Sequence, residues 1–396
     1  MQESIIIKNF GPIRDIEIKD IRPFTVFIGE SGSGKSTIIK VLVLFRWIYK
    51  MLNIRSYLKY ANISKSPFEF EFGQYLKNNG FSDYIKPDTD IIYQKGSIKI
   101  HYKTTLRTSP ISIPKEELSW EKMCFIADKR NLIPDILAAN KISTKMPYKK
   151  TIDIDDAINF FLRETFNDFV IASGEQYVPE LNLDYLGVRY FSEKTPMGIK
   201  YFIEGISEDR MHTPIKLEDA SSGMQTVIPL SVIVEYFSKH YDFSKRFNNI
   251  VFDFLAKNDS LKDFRAEQNI GEIKHKNIHI HIEEPELSLY PQSQRSLINF
   301  IVNRCFVERH NGYNMTVMMA THSPYIINHL NLLIKAYDKN KLVDSANLNY
   351  DNISVYQVYE GKIIDLKIQN ERLINTNLLS EAINAIYDEY NQLDNG

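Results

Sequence analysis

One short segment of the chain carries the residue types needed to hold a chain of phosphates. Residues 29–36 read GESGSGKS and fit the pattern G-x-x-x-x-G-K-[ST]. Glycines let backbone N–H groups wrap around phosphate oxygens, Lys35 reaches the terminal phosphates, and the Ser36 hydroxyl reaches Mg²⁺. The pattern therefore predicts nucleotide binding with Mg²⁺. The predicted binding residues are Gly29, Glu30, Ser31, Gly32, Ser33, Gly34, Lys35, Ser36 and Thr37.

A second segment, IHIHIEEPE at residues 278–286, contains two adjacent acids at positions 283 and 284. Its pattern is typical of a buried strand followed by a turn. At such a strand end, one carboxylate can hold Mg²⁺ through water while its neighbour polarises the attacking water as a general base. By position, Glu283 is the predicted magnesium-side group and Glu284 the predicted base. We expect His279 and His281 to have local hydrogen-bond partners within the fold, because no cluster of metal ligands stands beside them.

Two further polar turns are ambiguous when each is taken alone. His322 follows an apolar run at residues 316–320 and could sense a γ-phosphate by hydrogen bonding, although a lone histidine there is more often structural. Ser222 and Gly223 open an apolar helical run, where they form either an anion site or a simple helix cap. Both alternatives stay open for this segment.

The elements that must position these residues can be predicted from their periodicity. A buried strand at residues 24–28 precedes the glycine segment, and a helix from residue 35 to 52, apolar nearly all round, follows it. We expect this helix to lie between a sheet and another layer. A strand pair at 90–105 and a helix near 155–170 follow, and the apolar stripe of that helix predicts core packing. From residue 216 onward, strands and helices alternate, which predicts a parallel sheet.

Composition excludes several classes of protein. Lys and Arg number 48 and Asp and Glu 50, a net charge of −2, so no global positive field holds nucleic acid, and any such site must be a local patch. The two cysteines match no zinc or redox spacing. The apolar run at residues 38–52 contains three basic residues and is too short to cross a bilayer, and no secretory signal is evident. We expect a cytoplasmic protein.

Taken in order, the segments at residues 29–36, 222–225, 283–286 and 321–324 resemble the Walker A, signature, Walker B and switch-histidine motifs of ABC-type ATPases. The opening IIIKNFGP is similar to the first strand of the subgroup that contains structural-maintenance-of-chromosomes (SMC), RecF and overcoming-lysogenization-defect (OLD) proteins. The resemblance implies an α/β fold: an ABC-type P-loop ATPase head with a parallel core sheet, an antiparallel β subdomain and an inserted helical lobe. It divides the chain at 1–110, 111–215 and 216–396, the middle part being the inserted lobe.

In that subgroup ATP is sandwiched between two subunits, so the resemblance implies a homodimer or higher homo-oligomer with ATP and Mg²⁺ as cofactors. The implied catalytic groups are Lys35, Glu284 and His322, and the implied metal-side groups are Ser36 and Glu283. The implied signature residues, acting on the partner's nucleotide, are Ser222, Gly223 and Gln225. Three departures stand out: Met224 replaces a signature glycine, Glu283 replaces the usual aspartate, and an extra segment lies around 239–274. They favour slow turnover.

The parts of the chain outside the four motifs reduce the number of family functions that fit. Residues 53–215 lack the heptads of the coiled-coil members, and the residues after His322 lack the acidic cluster of a Toprim nuclease. The chain resembles most the ATPase subunit of the PARIS anti-phage system, with the ATPases of Septu and of some retrons close to it. This resemblance implies a sensor that holds a separate effector nuclease, expected to be of Toprim type, and releases it when a phage component binds. A RecF-like DNA-binding repair ATPase is the alternative, and a transporter-type motor ranks last.

Overall fold

The computed structural model describes residues 1–63, 76, 80–143, 159–196, 198–206, 213–243, 273–308 and 312–394. In chain order the strands are β1 (Glu3–Phe10), β2 (Ile13–Ile18), β3 (Phe24–Ile28), β4 (Ile85–Lys95), β5 (Ile98–Tyr102), β6 (Leu106–Ser109), β7 (Ser119–Ile126), β8 (Glu180–Leu183), β9 (Val188–Thr195), β10 (Gly198–Gly205), β11 (Ile215–Lys216), β12 (His275–Glu283), β13 (Asn314–Thr321), β14 (Ile353–Tyr359), β15 (Lys362–Asp365), β16 (Lys367–Ile368) and β17 (Leu373–Ile374). The helices are α1 (Lys35–Tyr60), α2 (Ile133–Ser143), α3 (Phe160–Ala172), α4 (Ser222–Glu235), α5 (Pro291–Val302), α6 (Pro324–Asp338) and α7 (Asn377–Asp394).

A six-stranded sheet forms the centre of the fold, in the order β15-β14-β3-β13-β12-β7. Its strands β14, β3, β13, β12 and β7 run parallel, and β15 closes one edge as an antiparallel hairpin with β14. Strand β3 is buried along its whole length, as expected for a strand with neighbours on both sides and layers on both faces. The parallel α/β sheet predicted from the alternation of elements is confirmed.

Helix α1 lies between two sheets, as its apolar pattern predicts. One of its faces packs on the core sheet, and the other on a five-stranded antiparallel sheet in the order β2-β1-β4-β5-β6. The strand pair predicted at 90–105 is the β4–β5 hairpin of this sheet. Helices α4, α5 and α6 belong to the cluster that covers the opposite face of the core sheet. A four-stranded antiparallel sheet, in the order β11-β10-β9-β8, contributes apolar side chains to the same cluster.

The predicted boundaries of the middle part need correction. Strand β7 pairs in parallel with β12 and is an edge strand of the core sheet, so residues 111–215 are not a lobe inserted apart from it. The helix predicted near 155–170 is α3 from residue 160, and Phe161, Leu162 and Phe169 are buried, which confirms core packing. The extra segment around 239–274 lies mostly outside the described residues, as does residue 155.

A buried polar network lies between α1, β1, β7 and β12. His279 contacts Glu121 Oε2 through Nε2 at 2.7 Å and Thr316 through Nδ1 at 2.7 Å, and His281 Nδ1 lies 3.0 Å from the Cys124 carbonyl oxygen. The local partners predicted for both histidines are therefore present. Burial alone would raise the pKa of Glu121, but Lys95 and a hydrogen bond with His279 lower it to about 2.

Candidate nucleotide-binding site

A cleft of about 550 Å³ opens at the carboxyl ends of β3, β12 and β13. Ligands of open α/β sheets bind at this end of the strands, because the loops and helix N-termini converge there. The cleft is lined by Gly11, Pro12, Ser31, Gly32, Gly34, Lys35, Ser36, Thr37, Asp83, Tyr84, Lys86, Glu284 and His322. The structure thus brings the glycine segment together with Glu284 and His322, which both come more than 240 residues later in the chain.

The backbone of the glycine segment requires glycine at two points. Gly34 has φ 109° and directly precedes α1, a conformation that side chains rarely adopt. A Cβ on Gly29 would lie 2.4 Å from the carbonyl oxygen of Val358 in β14. The loop is therefore pressed against the β14–β15 hairpin at Gly29, and within it the Ser33 N–H donates to the Glu30 carbonyl at 3.2 Å.

Lys35 is held within this loop. Its Nζ donates hydrogen bonds of 2.8 Å to the carbonyl oxygens of Gly29 and Glu30, and the residue is only 5% exposed. Burial lowers the pKa of Lys35, and the negative charges of Glu284 and Glu286 oppose that shift. An anion in the cleft would meet a partly desolvated ammonium group that is already oriented.

The two adjacent glutamates have different surroundings. Glu284 has φ 46°, its N–H donates to the Ala320 carbonyl at 2.8 Å, and its half-buried carboxylate lines the cleft. The Glu283 carboxylate is buried, and its Oε1 pairs with Lys40 Nζ at 2.9 Å. Glu283 is absent from the described lining of the cleft, and its Oε2 has no hydrogen-bond partner there. Sequence spacing does not reveal the Lys40 pairing.

His322 connects the other groups of the site. Its Nδ1 lies 3.5 Å from Lys35 Nζ, and its Nε2 lies 3.5 Å from Glu284 Oε1. Its backbone N–H donates to Glu286 Oε1 at 2.6 Å, so Glu286, a residue with no predicted role, fixes the switch turn. A phosphate that entered the cleft would meet a histidine placed between Lys35 and Glu284.

One wall of the cleft comes from a segment without any motif. Asp83, Tyr84 and Lys86 line it. Gly11 N–H donates to the Tyr84 carbonyl at 2.9 Å, and Lys86 Nζ donates to the Gly11 carbonyl at 3.0 Å. A Cβ on Gly11 would lie 2.5 Å from the Tyr84 ring, so this turn has to be glycine. The sequence predicts the Gly11-Pro12 turn, but it does not reveal that Tyr84 and Lys86, some 70 residues later, pack against this turn.

The signature residues lie outside this cleft. Ser222 is exposed at the first position of α4, Gln225 Nε2 donates to the Glu218 carbonyl at 2.8 Å, and a Cβ on Gly223 would lie 2.8 Å from the Ser288 carbonyl oxygen. Ser222, Gly223 and Gln225 are absent from the described lining of the cleft. Within one chain, the structure does not bring them to the predicted phosphate site.

Comparison with protein families gives a match over residues 24–328, more than half of the chain, to the family described as "AAA domain, putative AbiEii toxin, Type IV TA system". The chain belongs to this AAA family. With its P-loop, Glu284 and His322 assembled in one cleft, the AAA domain is a P-loop ATPase in class. A comparison with curated proteins finds no significant match.

Solved structures similar to this AAA domain include the SMC head domain from Thermotoga maritima, at 12% identity and a TM-score of 0.37, covering 93% of this chain and 100% of that one. An SmcHead bound to the C-winged helix domain of ScpA has 11% identity, a TM-score of 0.37 and coverage of 93% and 98%. The recombination mediator RecF-ATPrS has 9% identity, a TM-score of 0.34 and coverage of 92% and 98%. These scores are low, so the assignment rests on the family match and the topology.

Among the helices that the structure describes, none combines the length and apolar character needed to cross a bilayer. The apolar run at residues 38–52 of this AAA domain belongs to α1, where it is buried between two sheets.

Proposed function

We propose that the protein is an ATP-hydrolysing sensor that assembles into a homo-oligomer by sandwiching ATP between copies. The observation that carries this proposal is the separation of Ser222 from its own cleft. Lys35, Glu284 and His322 converge on the cleft, whereas Ser222 is exposed at the start of α4. A helix N-terminus with a free hydroxyl suits an anion brought by another molecule. A second copy would bring both the anion and the rest of the site.

The residues fit a nucleotide with Mg²⁺. Ser36 is half-buried at the cleft and would contact the metal directly. Glu283 lies outside the described lining of the cleft, and its Oε2, which lacks a described partner, would act on the metal through water. The metal neutralises charge on the phosphate oxygens when bound. Lys35 binds the terminal phosphates, and Glu284 polarises the attacking water. His322 lies between these two residues and hydrogen-bonds the terminal phosphate.

The finer role follows from resemblance. The sequence is similar to the ATPase subunit of the PARIS system, and the family description names a toxin of a type IV toxin–antitoxin system. We infer a cytoplasmic anti-phage sensor that keeps a separate effector nuclease, of Toprim type, inactive and releases it when a phage-encoded component binds. Native mass of the protein purified with its genomic neighbours tests this role: a stoichiometric nuclease on a homo-oligomer supports it, and a bare dimer that retains DNA contradicts it.

Mixing two inactive variants tests the shared site. Lys35→Ala removes the P-loop lysine and Ser222→Arg blocks the signature surface, so each alone is expected to lose hydrolysis. A mixed dimer contains one site with both residues intact, and activity is expected to return on mixing. The control is a mixture of Lys35→Ala with a Lys35→Ala/Ser222→Arg double variant, which rebuilds no intact site. Subunit exchange without any recovery, measured with differently tagged copies, would refute the sandwich.

A further inference from the structure

Arg130 is a fully buried arginine whose hydrogen bonds go to main-chain carbonyls. It follows β7 and is 0% exposed. Its Nη1 donates to the Glu283 carbonyl at 2.7 Å and to the Ala127 carbonyl at 3.0 Å, its Nη2 donates to the Glu284 carbonyl at 2.7 Å, and its Nε donates to the Thr226 carbonyl at 3.2 Å. One guanidinium therefore joins three separate segments of the chain.

Arg46, another fully buried arginine among the described residues, has a different kind of partner. Arg46 pairs with the Glu3 carboxylate at 2.7 and 2.8 Å, as a buried charge is expected to do. Burial lowers the pKa of Arg130 to about 10, although Glu286 and nearby acids oppose the shift. The group stays charged at neutral pH, and its planar fork fixes the directions of its partners.

Apart from its own segment, Arg130 contacts the two segments that the proposed reaction must coordinate. Glu284 has a left-handed backbone, φ 46°, which a non-glycine residue keeps only when its surroundings hold it there. Ala320 accepts from its N–H, and Arg130 donates to its carbonyl. At the other end, Thr226 lies one turn after Ser222, and its hydroxyl donates to the Ser222 carbonyl at 2.8 Å.

The geometry assigns to Arg130 the role of a positioning residue that couples the start of α4 to the carboxylate of Glu284. This inference rests on the proposed function. A partner that contacts Ser222 displaces the first turn of α4 and with it the Thr226 carbonyl. Because the guanidinium is rigid, that displacement reaches the Glu283–Glu284 backbone, and Glu284 takes its hydrolytic position only when the signature helix is engaged.

The test compares Arg130→Met, Arg130→Lys and, as a matched control, Arg46→Met. Affinity for a fluorescent ATP analogue, kcat, KM and Tm are measured for each full-length variant. We expect nucleotide affinity and KM to change less than about threefold in both Arg130 variants. We expect kcat to fall about 100-fold in Arg130→Met, the scale of a misplaced general base, with partial rescue in Arg130→Lys. Arg46→Met is expected to lower Tm but to keep kcat per folded molecule.

A second comparison isolates the coupling. Adding Arg130→Met to Ser222→Ala, a milder change than Ser222→Arg that is expected to leave measurable hydrolysis, is expected to lower kcat no further, because both changes break the same connection. Three results would each overturn the inference. They are a double variant whose loss of kcat is the product of the two single losses, a loss of kcat in Arg46→Met equal to that in Arg130→Met, and an unchanged kcat in Arg130→Met. Failure of the proposed function has a different signature, since hydrolysis would then survive Lys35→Ala in the otherwise native protein.

Discussion

Lys35 Nζ lies 3.5 Å from His322 Nδ1 across the cleft. An ammonium group has donors only, so Nδ1 can join this contact only as an acceptor, which would place the proton of a neutral imidazole on Nε2. Nε2 faces Glu284 Oε1 at 3.5 Å, where that proton points toward the carboxylate. The lysine, histidine and glutamate thus form one polar chain with a defined direction. A terminal phosphate bound by Lys35 would compete for the lysine and break that chain at its first step.

Lys35→Ala is expected to weaken ATP binding about 10- to 150-fold, since a hydrogen bond to a charged group contributes about 1.5–3 kcal/mol. The physical reason is that the ammonium is already oriented by Gly29 and Glu30, so its full contribution is lost. Isothermal titration calorimetry with ATP and Mg²⁺ measures the change, with Lys99→Ala, an exposed site on β5, as the control. Equal affinities of the two variants would contradict the prediction.

Glu284→Gln is expected to lower hydrolysis by about 10²- to 10⁴-fold while nucleotide binding persists, because the amide cannot act as a general base. Glu286→Gln is the matched control. Its amide oxygen can still accept the His322 N–H, so we expect a much smaller loss. Phosphate release and nucleotide affinity, measured in parallel, separate chemistry from binding. A larger kinetic defect in Glu286→Gln would reverse our assignment of the base.

Gly29→Ala is expected to destabilise the fold by about 3 kcal/mol, the upper range for overpacking, and to abolish nucleotide binding. The new methyl group would lie 2.4 Å from the Val358 carbonyl oxygen, so the loop or the hairpin has to move. Gly32→Ala is the comparison: its φ is 77°, but its Cβ would meet nothing within 4 Å. We expect a cost of only about 1–2 kcal/mol there. Urea unfolding of both variants decides whether the close approach matters.

Acid is expected to destabilise the protein from pH 6.5 downward. Burial lowers the pKa of His279 from 6.5 to about 4, so the unfolded chain takes up this proton first. The free energy of unfolding is therefore unaffected by protonation of this histidine above pH 6.5. As the pH falls from 6.5 toward 4, that free energy decreases by on the order of 3 kcal/mol. The lowered pKa of Glu121, about 2, continues the loss with the same sign below pH 4.5.

Urea unfolding at several pH values between 4 and 7 measures this effect. His279→Gln is expected to reduce the slope of unfolding free energy against pH by about one proton. It should not abolish the slope, because burial also lowers the pKa values of His281 and His329. An unchanged slope in His279→Gln would show that the imidazole titrates normally in the folded protein.

Contiguous features could be predicted from the sequence, and features that depend on distant residues could not. The glycine segment, β12, β13 and the sandwiched α1 follow from local patterns that decide their own structure. The Lys40–Glu283 pair and the Arg130 contacts to residues 283 and 284 join segments more than 150 residues apart, and no spacing indicates them. The position of β7 in the core sheet is not predictable from the sequence for the same reason, since its neighbour β12 comes about 150 residues after it.

Strand β3, which leads into the nucleotide cleft, has β13 and β14 as its two neighbours in the sheet. Both neighbours come about 290 or more residues after it in the chain. At about 5–20 residues per second, a ribosome releases the glycine segment well before either flanking strand exists. The nascent chain therefore completes its candidate phosphate site late in synthesis, and this ATPase would gain nucleotide binding only once most of the chain has been made.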